Sequence, residues 1–78
     1  MEEKMNELIS ILSGIRQDID FESEKNLIDD AWLDSVDILT IVTAISEHYN
    51  INIPITYIVP ENFNSAENML EMIHNIKK

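Results

Sequence analysis

Residues 33–50 read LDSVDILTIVTAISEHYN, and the spacing within them decides the fold. Ile38, Ile41, Val42, Ile45 and Tyr49 recur at the three- and four-residue steps that line one face of an α-helix. Asp34 stands where an N-cap belongs, because a short carboxylate side chain can accept from the amides that a first helical turn leaves without partners. Asp37, three residues on, completes a carboxylate version of the capping box. The spacing therefore predicts a helix from Ser35 to Tyr49. With the stripe centred on Ile38, Val42, Ile45 and Tyr49, Val36, Thr40, Thr43 and Glu47 fall on the opposite side. Val36, about 160° from Ile38, is an apolar residue expected to face water. Next to it, Ser35 puts a hydroxyl in the exposed first turn.

Working outward, helix is the expected state wherever periodicity supports it, since Gly14, Pro54 and Pro60 are the chain's only glycine and prolines. Met1, Met5, Leu8, Ile9, Leu12 and Ile15 share a face and predict a helix from Glu2 to Ile15 or Arg16, with Gly14 as a breaker near its end. Ser65 caps a stripe of Ala66, Met69, Leu70, Ile73 and Ile76, a helix that closes on Lys77 and Lys78, where positive charge suits a C-terminus. The run INIPITYIVPENFN before it is β-branched, but a lone strand would have no partner. A connector with one helical turn near Thr56 to Val59 is expected instead. Gln17 to Leu33 form a long loop that Ile19, Phe21, Leu27, Ile28, Trp32 and Leu33 can anchor. The expected architecture is all-α, a small bundle of three main helices plus one short helix, in a single domain over residues 1–78.

Composition narrows the function. A chain of 78 residues with 45% hydrophobic residues is long enough for one core and too apolar for a disordered tail. Fifteen acids against five bases leave a net charge of -10, which repels nucleic acid and anionic membrane surfaces and favours a basic protein partner. With no cysteine, the chain has no disulfide, thiolate ligand or thiol nucleophile of its own. The opening MEEKMNELIS carries acids where a signal peptide carries bases, and no apolar run reaches the length of a membrane span. The expected location is the cytoplasm.

A serine needs an adjacent base to act as a nucleophile. His48 lies roughly 20 Å along the same helix from Ser35 at a rise of 1.5 Å per residue, and His74 belongs to another helix. Self-contained Ser-His catalysis is therefore disfavoured, no catalytic residue is assigned, and the chain reads as no enzyme. Asp18, Asp20, Glu22, Glu24 and Asp29 alternate like an EF-hand loop, but Ser23 stands where that loop needs glycine and Asp29 where it needs glutamate. No metal site is assigned. Instead, Asp18, Asp20, Glu22, Glu24, Asp29, Asp30, Asp34 and Asp37, against the single base Lys25, read as a solvated acidic face that steers basic partners toward Ser35.

The run LIDDAWLDSVDILTIVTAISEHYNINIP, continuing to VPENFNSAENMLEMI, resembles the acyl carrier protein family, including its D-alanyl and peptidyl carrier branches. In that family a D-S-L tripeptide opens the second helix, and its serine carries 4'-phosphopantetheine. Asp34, Ser35 and Val36 match it, with Asp37 continuing the common D-S-L-D form. The long first loop, the aromatic Tyr49 at the helix end, the I-x-I-P turn at Ile51 to Pro54 and the Ser-capped last helix follow in the family's order over nearly the whole chain. Val36 replaces the usual leucine, and Trp32-Leu33 replaces the small residues of many fatty-acid carriers. The Leu33-Asp34-Ser35 form is closer to the D-alanyl and aminoacyl carriers, and Thr40 and Thr43 depart from the fatty-acid pattern.

The resemblance implies a freestanding, monomeric carrier in which Ser35 holds the arm and Asp34, Val36 and Asp37 flank it. It implies a partner face of Val36, Thr40, Thr43 and Glu47. Its partners would be a phosphopantetheinyl transferase, an adenylating ligase or acyltransferase that loads the arm, and a downstream acceptor enzyme. The arm would supply the thiol this chain lacks and hold cargo as a thioester. The alternative reading is a small acidic helical adaptor that binds a basic protein and is never modified.

Overall fold

The computed structural model describes residues 5–77. The expected helix start at Glu2, the stripe residue Met1 and the terminal Lys78 lie outside the described residues. Four α-helices are present among them: α1 (Met5–Ile15), α2 (Ser35–Tyr49), α3 (Pro60–Phe63) and α4 (Ala66–Lys77), with a 3-10 turn at Ile55–Tyr57. The described chain contains no strand. Helix α1 packs on both α2 and α4, and α3 packs on α4. The architecture is thus the expected all-α bundle of three main helices and one short one.

The core grows from the predicted stripes. Leu8 and Leu12 of α1, Ile41 and Ile45 of α2, and Met69 and Ile73 of α4 are fully buried together with Phe63 and Leu27. Each such side chain contributes about 1.5–3 kcal/mol by leaving water. The buried centre of α2 is Ile41, Ile45 and Tyr49, with Ile38 and Val42 partly buried at its margins. Asn50 closes α2 in the left-handed conformation, its amide returning to the Ser46 carbonyl, and asparagine tolerates that conformation better than most residues. At α4, the Ser65 hydroxyl accepts from the Asn68 amide at 3.0 Å, as the sequence predicts of a cap.

The connector after α2 departs from expectation. A single helical turn at Thr56 to Val59 is replaced by two, the 3-10 turn at Ile55–Tyr57 and α3 beginning at Pro60. Val59 is extended (φ -130°, ψ 155°), as suits a residue before proline, and Pro60 takes the first helical position, where its missing N–H costs nothing. Helix α1 ends at Ile15, where it is expected to, one residue beyond Gly14.

The long first loop is held from inside. Ile19, Phe21, Leu27 and Leu33 are buried, and Ile28 packs at the core's edge. Asn64, between α3 and α4, straps the loop down. Its backbone carbonyl accepts from the Leu27 amide at 2.8 Å, and its Oδ1 accepts from the amides of Ile28 and Asp29 at 2.9 and 3.1 Å. Trp32 is not the expected anchor, being 40% exposed. Ala31 turns through the left-handed region (φ 61°), and the amides of both Trp32 and Leu33 return to the Leu27 carbonyl. That tight turn sends Leu33 into the core and leaves the indole outside.

Candidate functional site at the start of helix α2

Ser35 is the first residue of α2 and is exposed. Its position follows from the capping box on either side. The Asp37 amide donates to Asp34 Oδ1 at 2.9 Å, and the Asp34 amide donates to Asp37 Oδ2 at 3.2 Å. The box closes over Ser35 without using it, and the serine hydroxyl makes no hydrogen bond among the described residues. It is open to solvent at the positive end of a four-turn helix, a setting that suits an attached phosphate. The residues present therefore fit a phosphodiester-linked arm on Ser35.

The two flanking carboxylates differ in availability. Asp34 is exposed, whereas the Asp37 side chain retains only 17% of its accessibility and receives Arg16 Nη1 on Oδ2 at 2.6 Å. Arg16 also forks onto Asp18, with Nε to Oδ1 at 3.0 Å and Nη2 to Oδ2 at 2.8 Å. These bonds lower the Asp18 pKa, while Asp18 first and Asp37 second hold the guanidinium proton more firmly than usual. The acidic run is thus partly neutralised by a base just outside it. Lys25, the base within it, pairs with Glu67 at 3.4 Å.

The residues expected to form a partner face are exposed together, and a further apolar residue lies beside them. Val36 is 68% exposed, and Thr40, Thr43 and Glu47 are exposed on the same side of α2. Leu39, three residues after Val36, joins them at 62% exposure. The hydroxyls of Thr40 and Thr43 donate to the carbonyls of Val36 and Leu39, each at 3.0 Å. With those donors turned onto their own helix, the threonines leave a more apolar strip than their names imply. A stripe centred on Ile38 puts Leu39 only about 100° away, at the margin of the core, so periodicity alone does not assign it to the exposed side. The partners of Arg16 lie 2, 16 and 21 residues away, and no local sequence pattern joins them.

The remaining candidates lie elsewhere. His48, near the other end of α2, is exposed and its Nε2 is 2.6 Å from Glu7 Oε2 of α1, a tie between helices. A surface depression of about 540 Å³ beside that pair is lined by Asn6, Glu7, Ser10, Ile11 and His48 and does not reach Ser35. Among the described residues no three acids or histidines gather as a metal set, and Asp20 turns its carboxylate onto Glu22 N and Ser23 Oγ of its own turn. No helix of the described chain is long and apolar enough to cross a membrane. Comparison with protein-family models, curated proteins and solved structures finds no match to this chain.

Proposed function

We propose that this chain is a carrier of the acyl carrier protein family, modified on Ser35 with 4'-phosphopantetheine. The observation that carries the reading is the exposed, unengaged Ser35 hydroxyl, framed by a capping box that does not depend on it and followed along α2 by exposed Val36 and Leu39. A phosphopantetheinyl transferase would supply the base that takes the serine proton. Ser35 Oγ would bond to the phosphorus bearing the pantetheine, and the pyrophosphate link of coenzyme A would break to release adenosine 3',5'-bisphosphate. The bound arm supplies a thiol for thioester chemistry. This chain contributes the attachment atom, its presentation and a docking strip, and performs no catalysis itself.

Thr40 and Thr43 on that strip, with Leu33-Asp34-Ser35 before it, favour loading by an adenylating ligase with an amino acid or another small acid over elongation of a fatty chain. The test is the intact mass of the purified chain after incubation with coenzyme A and a broad-specificity transferase, repeated with Ser35→Ala. Wild type gains one arm and the variant none. An unmodified wild type leaves the adaptor reading, in which the acidic surface and the same apolar strip bind a basic protein.

A further inference from the structure

Arg16 lies one residue beyond α1, and all three of its guanidinium nitrogens donate. Besides the fork to Asp18, Nη1 reaches both Asp37 Oδ2 at 2.6 Å and the Trp32 carbonyl at 3.2 Å. These partners sit on the start of the long loop, on its last turn and on the first turn of α2. A planar guanidinium can hold three such directions at once, whereas an ammonium is a point charge without that fork. The Trp32 amide is fixed as well, on the Leu27 carbonyl at 2.9 Å. The backbone leading into Ser35 is therefore pinned on both sides of Trp32 and again at Asp34.

We infer that Arg16 is a positioning residue for the modification of Ser35: by tying the Trp32 carbonyl to the Asp37 capping carboxylate, it fixes the segment that presents the serine before any enzyme docks. The inference rests on the carrier reading above. A transfer to phosphorus needs the attacking oxygen in line at about 3–3.5 Å, and small misplacements lower the rate steeply. The strip of Val36, Leu39, Thr40 and Thr43 is carried by the helix itself and keeps its geometry without Arg16. Loss of the guanidinium should therefore fall on kcat and spare KM. Asp37 takes the capping part its spacing from Asp34 predicts, and its carboxylate also faces inward to Arg16.

The test compares wild type, Arg16→Gln and Arg16→Lys as full chains, well below their melting temperatures, by arm-attachment kinetics and by amide hydrogen exchange. Arg16→Gln should lower kcat at least about fivefold with KM within about twofold, and Arg16→Lys should recover only part of the loss. In Arg16→Gln, exchange at the Asp34 and Asp37 amides should rise about tenfold or more, while the amides of Ile45 and Met69 keep wild-type protection. Unchanged kcat and KM in Arg16→Gln, or a uniform rise at all four amides, would overturn the inference and leave the carrier reading standing. If Arg16→Gln does not fold, an Arg16→Lys protein with wild-type kcat overturns it equally. A wild type that takes no arm overturns the carrier reading itself, before any variant is compared.

Discussion

Asp34 and Asp37 cap one another across the residue between which function is proposed. Each amide donates to the other's carboxylate, at 3.2 and 2.9 Å, and Ser35 lies inside the loop they close without belonging to it. The arrangement separates the stability of the helix start from its reactive hydroxyl. Asp34→Ala removes the side-chain acceptor and should cost about 1 kcal/mol, a fall in Tm of about 4–8 °C for a domain this small. Asp34→Asn, which still caps, should stay within a few tenths of a kcal/mol. Ser35→Ala should melt with the wild type. Thermal melting of the three variants checks all of this, and an Asp34→Ala protein as stable as wild type would show that the box contributes nothing.

Two small residues stand where the other would serve better. Ala31 holds a φ of 61°, a conformation that glycine adopts at no steric cost, while Gly14 occupies a helical position where an added methyl would meet nothing within 4 Å. Ala31→Gly and Gly14→Ala should each stabilise the fold by about 0.5–1 kcal/mol, the second toward the low end because Gly14 lies in the last turn of α1. Denaturant unfolding of each measures it. A destabilised Ala31→Gly protein would mean that the entropy glycine adds to the unfolded chain outweighs relief of the turn.

The exposed strip on α2 and the buried stripe opposite it should respond in opposite ways to charge. Val36→Asp and Leu39→Asp should each change stability by under about 0.5 kcal/mol, as exposed substitutions do. Both should slow arm attachment at least about tenfold, by placing a charge in an apolar contact. Ile45→Asp should unfold the domain, since Ile45 is fully buried and a charge there has no partner. Thermal melts and attachment rates, measured on the same preparations, decide it. An unfolded Val36→Asp protein would place that side chain in the core, contrary to its exposure.

The ion pair at the loop start makes an acid-side prediction. Arg16 holds the Asp18 carboxyl below its ordinary pKa of 3.8, so the pair's contribution is fully present above that pH and is lost as pH falls through the lowered value. Asp18 is exposed, so the effect is small. Asp18→Asn should therefore lose a little stability at pH 6 and converge on wild type as the pH drops well below 3.8. Urea midpoints at several pH values test this. A gap between the two proteins that widens in acid would contradict the assignment.

Much of this was legible in the chain because the deciding signals are local. The bounds of α2, its Asp34–Asp37 box and the Ser65 cap follow from residues within a few positions of one another. What was hidden depends on chain reversal. Trp32 reads as an anchor until the Ala31 turn and the Leu27 carbonyl point it outward, and Asn64 reads as a loop residue until it is seen holding a segment 35 and 36 residues away. Arg16 is the same case at the site itself, since the run from Asp18 to Asp37 sets one base against eight acids and the fold brings in a second from just outside it.

Trp32 is the only tryptophan, half-exposed three residues before Ser35, with its backbone held at both the amide and the carbonyl. Its fluorescence should be quenched by acrylamide in the native state and should change when an arm is attached next to it. A native tryptophan shielded from acrylamide would place the indole in the core.

The central claim is that Ser35 is an attachment site, and intact-mass measurement tests it most directly. Wild type, Ser35→Ala and Asp34→Asn are each incubated with coenzyme A and a broad-specificity phosphopantetheinyl transferase. The account predicts one added phosphopantetheine on wild type and on the capped Asp34→Asn protein, located on Ser35 by fragmentation, and none on a folded Ser35→Ala protein. A folded wild type that gains no mass, or an arm that persists in Ser35→Ala, would contradict it.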